Sequence, residues 1–219
     1  MTPITVNVTG SSTIHQPPEQ AVLFYHVQSE GSSSDTVSKE VTAASNQLQQ
    51  IFKDLKSDSL SPAPVAAFST SSLRSWSGRP RDRDGNPGER VHYAQLRSEA
   101  TFREFKKLGE VAGRLAAYPN VAISNIDWRL TDETKQELGS KTRKLAMKDA
   151  IQKASDYAEV IGREVNPVEI TDMESPGLHS PRYMTAMAAC PMEDEREELD
   201  LTPQDVELTS SIQVNFRGE

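Results

Sequence analysis

Between Thr131 and Gly162, alanine returns every fourth residue, at Ala146, Ala150, Ala154 and Ala158, and no other feature limits the possible folds as much. Residues four apart share a helix face, so Leu145 to Gly162 reads as an amphipathic helix. Met147, Ile151, Tyr157, Val160 and Ile161 are expected beside the ridge, with Lys144, Lys148, Asp149, Lys153 and Asp156 on the other side. A row of methyl groups lets a helix axis come closer to its neighbour than a row of leucines would, which predicts a helix laid across a sheet. Its ends are marked. Thr131 can cap the start, with Asp132 and Glu133 in the first turn where carboxylates meet the positive end of the helix dipole. Gly162 suits a left-handed terminator, and Pro167 bars continuation.

Hydrophobic period assigns the rest of the chain. Ile4, Val6 and Val8 alternate with polar residues as a half-buried strand that is expected to break at Gly10. Ala21 to Val27 is apolar on both faces, as a central strand should be, and turns at Gly31. Ser32 to Ser34 offer caps for a helix whose stripe is Val37, Val41, Ala44, Leu48, Ile51, Phe52 and Leu55. After a Ser/Pro linker, a β-prone segment from Val65 to Trp76 and a strand from about Arg90 to Arg103 flank the Pro-, Gly-, Arg- and Asp-rich loop Gly78 to Gly88, a long hairpin. Phe105, Leu108, Val111, Ala112 and Leu115 mark a short helix within Glu104 to Tyr118. In the following strand, Val121 and Ile123 share one phase while Ile126, Trp128 and Leu130 share the other, which predicts a bulge near Ser124-Asn125. Val165 to Thr171 reads as a short strand, and Val206 to Phe216 alternates throughout. Met173 to Asp200 has no period and is expected to be a mobile acidic insert. The sum is an α+β fold, mainly antiparallel sheet with packed helices, in two β-α-β-like lobes around the alanine helix. The lobes are expected at roughly 1–56 plus 201–219 and at 65–171, within a single domain over 1–219.

Composition narrows the partners. A formal net charge of -8 disfavours nucleic acid and anionic membrane, both of which require clustered positive charge. No apolar run approaches a membrane span, and Met1 to Gly10 alternates instead of forming an export signal, so the expected location is cytoplasmic. The single cysteine, Cys190, excludes an intrachain disulfide and a multi-cysteine zinc site. His15, His26, His92 and His179 are scattered without helical pairing, so no metal site and no cofactor are expected. Soft donors do gather at His179, Met184, Met187, Cys190 and Met192, where copper(I) is the metal such a set would select and a partner-binding methionine surface is the plainer reading.

The element order resembles the SIMPL domain family. The residues carrying the resemblance are Ile4-Thr5-Val6-Asn7-Val8-Thr9-Gly10, Pro18-Glu19-Gln20-Ala21, the helix from Arg143-Lys144-Leu145-Ala146 to Tyr157-Ala158-Glu159-Val160-Ile161-Gly162, and the closing Val206 to Phe216 strand. Relatives include bacterial periplasmic or outer-membrane-associated proteins linked to oxidative-stress defence, some building ring-like assemblies, and an animal kinase-associated signalling adaptor. The resemblance therefore implies a fold and a loose stress or signalling theme, with no catalytic residues to carry over. This chain departs in its charged Gly78 to Arg90 loop, its acidic Glu193 to Asp200 tract and its lack of an export signal, which makes the adaptor the nearer analogy.

No nucleophile elbow, phosphate loop or dinucleotide fingerprint is present, so the expected function is a non-enzymatic interaction protein with a protein partner, self-association being left open. The contact surface is expected at Arg79, Arg81 and Arg83 with Trp76, where arginines beside an aromatic could grip an acidic protein surface or a single-stranded base. Asp82, Asp84 and Glu89 dilute that charge and favour protein over nucleic acid. The alternative is an enzyme with an unmotifed site between the two lobes acting on a small molecule. A closed pocket lined by His26, His92 or Tyr93 with converging carboxylates would favour the enzyme, and a filled core beneath protruding loops the adaptor.

Overall fold

The computed structural model describes residues 3–56, 63–81, 85–173 and 201–218. The expected insert, apart from Met173, lies outside the described residues. The elements form an α+β fold of two antiparallel sheets and three helices among the described residues. They group into two compact units, which set the bounds differently from the expected lobes.

The first unit holds β1 (Ile4–Gln16), α3 (Asp132–Ile161), β7 (Val165–Asp172) and β8 (Val206–Gly218), with strand order β1-β8-β7. The alanine ridge behaves as its spacing implies. Ala146, Ala150, Ala154 and Ala158 are buried, Thr142 extends the row by one turn, and the ridge packs on Val8, Ile212, Val214 and Phe216. The Thr142 hydroxyl donates back to the carbonyls of Leu138 and Gly139 and accepts from Ser210 Oγ at 2.8 Å, so the one polar member of the row is satisfied. Thr131 Oγ1 accepts from the Thr134 amide, and Gly162 closes the helix at φ 65°.

Two expectations fail here for one reason. β1 does not break at Gly10 but runs through it to Gln16, with Gly10 opposite Ile212. A Cβ on Gly10 would stand 2.1 Å from the Ala146 carbonyl oxygen and 2.7 Å from the Ala150 amide nitrogen. The glycine is where the strand backbone meets the helix backbone, not a turn. The large residues flanking the ridge, in turn, are not drawn in: Ile151, Tyr157, Val160 and Ile161 are exposed, and only Met147 is partly buried against the core. A helix held this close to a three-stranded sheet buries a narrow stripe.

Polar bonds flank the contact. Asp149 accepts from the Ser11 amide at 2.9 Å and from Lys153 Nζ at 2.7 Å, and Lys153 also donates to the Thr9 carbonyl at 2.9 Å. β1 is an edge strand among the described residues, so α3 occupies backbone groups that the edge would otherwise leave open.

The second unit holds β2 (Gln20–Gly31), α1 (Ser34–Lys56), β3 (Val65–Thr70), β4 (Arg74–Gly78), β5 (Val91–Phe102), α2 (Phe105–Ala116) and β6 (Val121–Arg129). Its strand order is β3-β5-β2-β6, with β4 also paired to β5. β2 is central, as its two apolar faces require. Val37, Val41, Leu48 and Phe52 of α1 and Leu108, Val111 and Leu115 of α2 fill one core with Leu23, Tyr25, Val27 and Phe102. Tyr25 and Phe52 stack at 5.6 Å, and burial pushes the Tyr25 phenol above its ordinary range, partly offset by a bond with Ser98. The bulge falls where the phase slip puts it: Phe24 opposes Asn125 and Tyr25 opposes Ile123, leaving Ser124 as the extra residue. Its hydroxyl lies 3.1 Å from His26 Nδ1.

Gly10→Ala should destabilise the protein by at least the ~1 to 3 kcal/mol typical of overpacking, because a backbone atom blocks the methyl group, and Ala154→Leu should fall within that span. Urea denaturation midpoints decide; an unchanged midpoint in either variant contradicts the close approach. The Asp149 carboxyl is held below the ordinary carboxylate range, first by Lys153 and then by the Ser11 amide. A depressed folded-state value means that its stabilisation is present above the unfolded value of about 4 and is lost as pH falls through the folded value. Asp149→Asn should therefore be less stable at pH 7 and show a flatter acid limb in melting temperature against pH.

Candidate functional site

In the second unit, β2 ends at Gly31, β4 ends at Gly78 and β5 begins at Val91, so three strand ends meet. An open cleft of about 520 Å³ lies there, lined by Gln28, Ser29 and Glu30 of β2, Glu40 of α1, Trp76 of β4, Tyr93 of β5 and the Pro119-Asn120 turn.

Register builds its centre. Trp76 pairs with Tyr93 across β4 and β5, and Tyr93 pairs with Glu30 across β5 and β2, so these three side chains form one row on one face. Trp76 and Tyr93 stack with centroids 5.4 Å apart and planes 12° from parallel. Trp76 stays 44% exposed, unusual for so large an aromatic side chain in a stacked pair. The guanidinium of Arg74, one row along, lies 5.6 Å from the Trp76 ring centroid. Glu40 comes from α1 and is oriented by the Ser29 hydroxyl, which donates to Oε2 at 2.6 Å. The Asn120 carbonyl takes the Gln28 amide at 2.8 Å, tying the turn to the end of β2.

Of the residues expected to form the contact surface, Trp76 lines this cleft, while Arg79 and Arg81 are exposed on the turn beyond it and Arg83 lies outside the described residues. The turn is folded on itself: Gly88 donates to the Pro80 carbonyl at 2.7 Å, Arg81 bridges to Pro87, and Gly85 takes φ 86°. The arginines and the aromatic therefore mark two neighbouring features of one hairpin. Tyr93 and the carboxylates Glu30 and Glu40 line the cleft, but His26 and His92 do not. Sequence reading missed Glu30, Glu40 and Ser29, since their placement depends on tertiary pairings such as Glu30↔Tyr93, 63 residues apart in the chain. Alternation in Val91 to Phe102 was the only sequence signal, because it puts Tyr93 off the core face.

Among the described residues no three His, Cys, Asp or Glu side chains converge as metal ligands, and no helix is long and apolar enough to cross a membrane. The Met/His/Cys segment considered for copper(I) lies outside the described residues. Residues 6–216 match the family model described as SIMPL, protein of unknown function (DUF541). No curated protein matches the chain.

The stacked pair should be detectable on its own. In a double-mutant cycle, Trp76→Ala and Tyr93→Ala should show a coupling of roughly 0.5 to 1.5 kcal/mol by urea denaturation, toward the low end because Trp76 is half exposed. Strict additivity contradicts the stack.

Proposed function

The chain belongs to the SIMPL family, and from that premise we propose that it works as an interaction module that docks a partner protein on the β4-β5 hairpin. The observation that supports this most is Trp76, stacked yet half exposed on a strand whose outer edge pairs with no other described strand. Large rigid aromatics at a surface are the residue type that most often anchors protein interfaces. The open backbone of β4 adds a second means of attachment, since an extended segment can pair with a free edge. Arg79 and Arg81, exposed on the adjoining turn, supply positive charge that bears on encounter and specificity.

A second reading has one observation in its favour. Tyr93, Glu30 and Glu40 share a cleft large enough for a small molecule, the arrangement an unmotifed enzyme would use. A metabolite-binding screen addresses it, with a hit lost in Tyr93→Phe as the result that would prefer the enzyme.

For the docking reading, captured protein should be lost from Trp76→Ala and reduced in a salt-dependent way by Arg79, Arg81 and Arg83 changed together to Ser. Melting temperatures should stay within scatter in the arginine variant, since exposed charges contribute little to folding. Undiminished capture by both variants overturns the proposal. Binding of single-stranded oligonucleotides that depends on Trp76 and falls steeply with salt would replace it with a nucleic-acid reading.

A further inference from the structure

The sheet of the second unit has a face turned away from its helices, and beside β4 that face carries cations without counter-charges. Ala94, Leu96, Ser98 and Ala100 of β5 are buried, so Tyr93, Gln95 and Arg97 point to the opposite face. Register sets Trp76 across from Tyr93 and Arg74 across from Gln95, which leaves Arg74 and Arg97 in adjacent rows of one face. We infer that the partner segment docked on β4 is acidic, an extended strand added to the outer edge with carboxylates at alternate positions against Arg74 and Arg97. This rests on the docking reading and adds the chemical class of the segment and the two residues that select it.

Both arginines are exposed, and neither has an ion pair among the described residues. The Arg74 guanidinium lies 5.6 Å from the centroid of the Trp76 ring, which is itself stacked on Tyr93. A guanidinium laid against a ring keeps the N–H donors along its edge, and these grip a carboxylate through two parallel bonds. Trp76 therefore orients a cation that is already present. Arg97 is anchored through its backbone by Ser71, whose amide donates to the Arg97 carbonyl at 2.8 Å and whose hydroxyl accepts from the Arg97 amide at 3.1 Å. Ser71 and Ser72 are short and leave the long Arg97 side chain a path to the edge. On its inner side Arg97 faces His26, which bonds with Ser124, so no carboxylate stands in that part of its row.

Spacing argues for a strand. Side chains on one face of a strand recur roughly every 7 Å, the separation of the Arg74 and Arg97 rows, which are set by Gln95 and Arg97 two residues apart on β5. The outer edge of β4 is unpaired among the described residues and offers the backbone bonds that would hold such a strand in register. Acids at alternate positions then meet the two arginines, while Arg79 and Arg81 extend the positive charge past the other end of β4. Carboxylates bound the stretch: Glu30 lies inward of Tyr93, and Glu99, next on this face of β5, accepts from the Ser69 hydroxyl at 3.1 Å. A polypeptide can place neutral residues beside them, whereas a nucleic acid carries a phosphate at every step. The net charge of -8 repels an acidic segment from a distance, but salt screens that repulsion beyond about 8 to 10 Å, and contacts with the arginines decide.

Fluorescence anisotropy on the intact chain tests this with labelled nine-residue Thr/Ser peptides that carry two Glu, two Gln or two Lys at positions two apart, and a fourth peptide with its two Glu adjacent. The spaced Glu peptide should bind about tenfold tighter than the Gln peptide, with the Lys peptide weakest. The adjacent arrangement should bind about threefold more weakly than the spaced one, because neighbouring side chains point to opposite faces. Arg97→Gln should cost the spaced Glu peptide about threefold, and Arg74→Gln with Arg97→Gln about tenfold, with the Gln peptide unaffected. Equal binding of Glu and Gln peptides, equal binding of spaced and adjacent Glu, or no effect of the double variant overturns the inference. Should that variant melt early, Arg97→Gln decides alone, since Arg97 is exposed and stands apart from the Trp76 contact. Displacement of the spaced Glu peptide by oligothymidylate at lower concentration than by the unlabelled peptide overturns the polypeptide source. The two readings fail separately. Capture that needs Trp76 but ignores the loss of Arg74 and Arg97 removes the acidic segment and keeps the docking surface; acidic peptides that bind as expected while capture ignores Trp76→Ala and the turn-arginine variant remove the docking reading.

Discussion

The contact on which the first unit depends is between two backbones, that of β1 at Gly10 and that of α3 at Ala146 and Ala150. A side chain on either surface would hold the two apart, so a glycine on the strand and methyl groups on the helix are both required. The gain is dense packing over a narrow stripe; the consequence is that the helix reaches no further sideways, and Tyr157 and Val160 remain in solvent. Closeness also brings Asp149 and Lys153 within reach of the Ser11 amide and the Thr9 carbonyl, the two backbone groups flanking Gly10 along the strand edge. One steric fact thus fixes helix height, strand continuity and the closing of an edge.

The second unit solves a different problem, since β2 must pair on both sides while its partners keep their apolar residues toward α1 and α2. β6 carries apolar residues in two phases, and the extra residue Ser124 reconciles them: Ile123 and Ile126 both reach the core although an odd number of bonds separates them along the strand. On the other side of β2, β5 serves two short partners in succession. Between β3 and β4 the ladder is carried by Ser71, whose amide donates to the Arg97 carbonyl and whose hydroxyl accepts from the Arg97 amide. The sheet edge therefore bends without losing its bonds, and β4 is left presenting Trp76.

Much of this fold is legible in the sequence because it is written in short-range period. The alanine spacing, the α1 and α2 stripes and the slipped phase of β6 each report on residues within one element, and each appears in the structure. Gly10 misleads for a physical reason: a glycine in a strand means either a turn or a close approach by another backbone, and the partner that decides, α3, lies more than 130 residues on in the chain. The flanking residues of α3 mislead similarly, since how wide a face is buried depends on how many strands lie beneath it. The site is less legible still. Trp76 is visible as an aromatic beside arginines, but Glu30 and Glu40 look like ordinary solvated carboxylates until the sheet pairs Glu30 with Tyr93 and Ser29 orients Glu40.

The site's existence therefore turns on register. Side chains alternate faces along a strand, so a shift of β4 against β5 by one residue would move Trp76 off Tyr93 and onto the opposite face. What resists such a shift is the turn between them, where the Gly88 amide reaches the Pro80 carbonyl, Arg81 bridges Pro87 and Gly85 adopts a left-handed conformation that other residues resist. The arginine-bearing turn and the aromatic cleft are in this sense linked: the turn sets the pairing that aligns Trp76 with Tyr93, and the ladder between β5 and β2 adds Glu30 to the row. A cleft built this way leaves no motif in the sequence, because it depends on a turn that keeps β4 in step with β5 and on the separate ladder between β5 and β2.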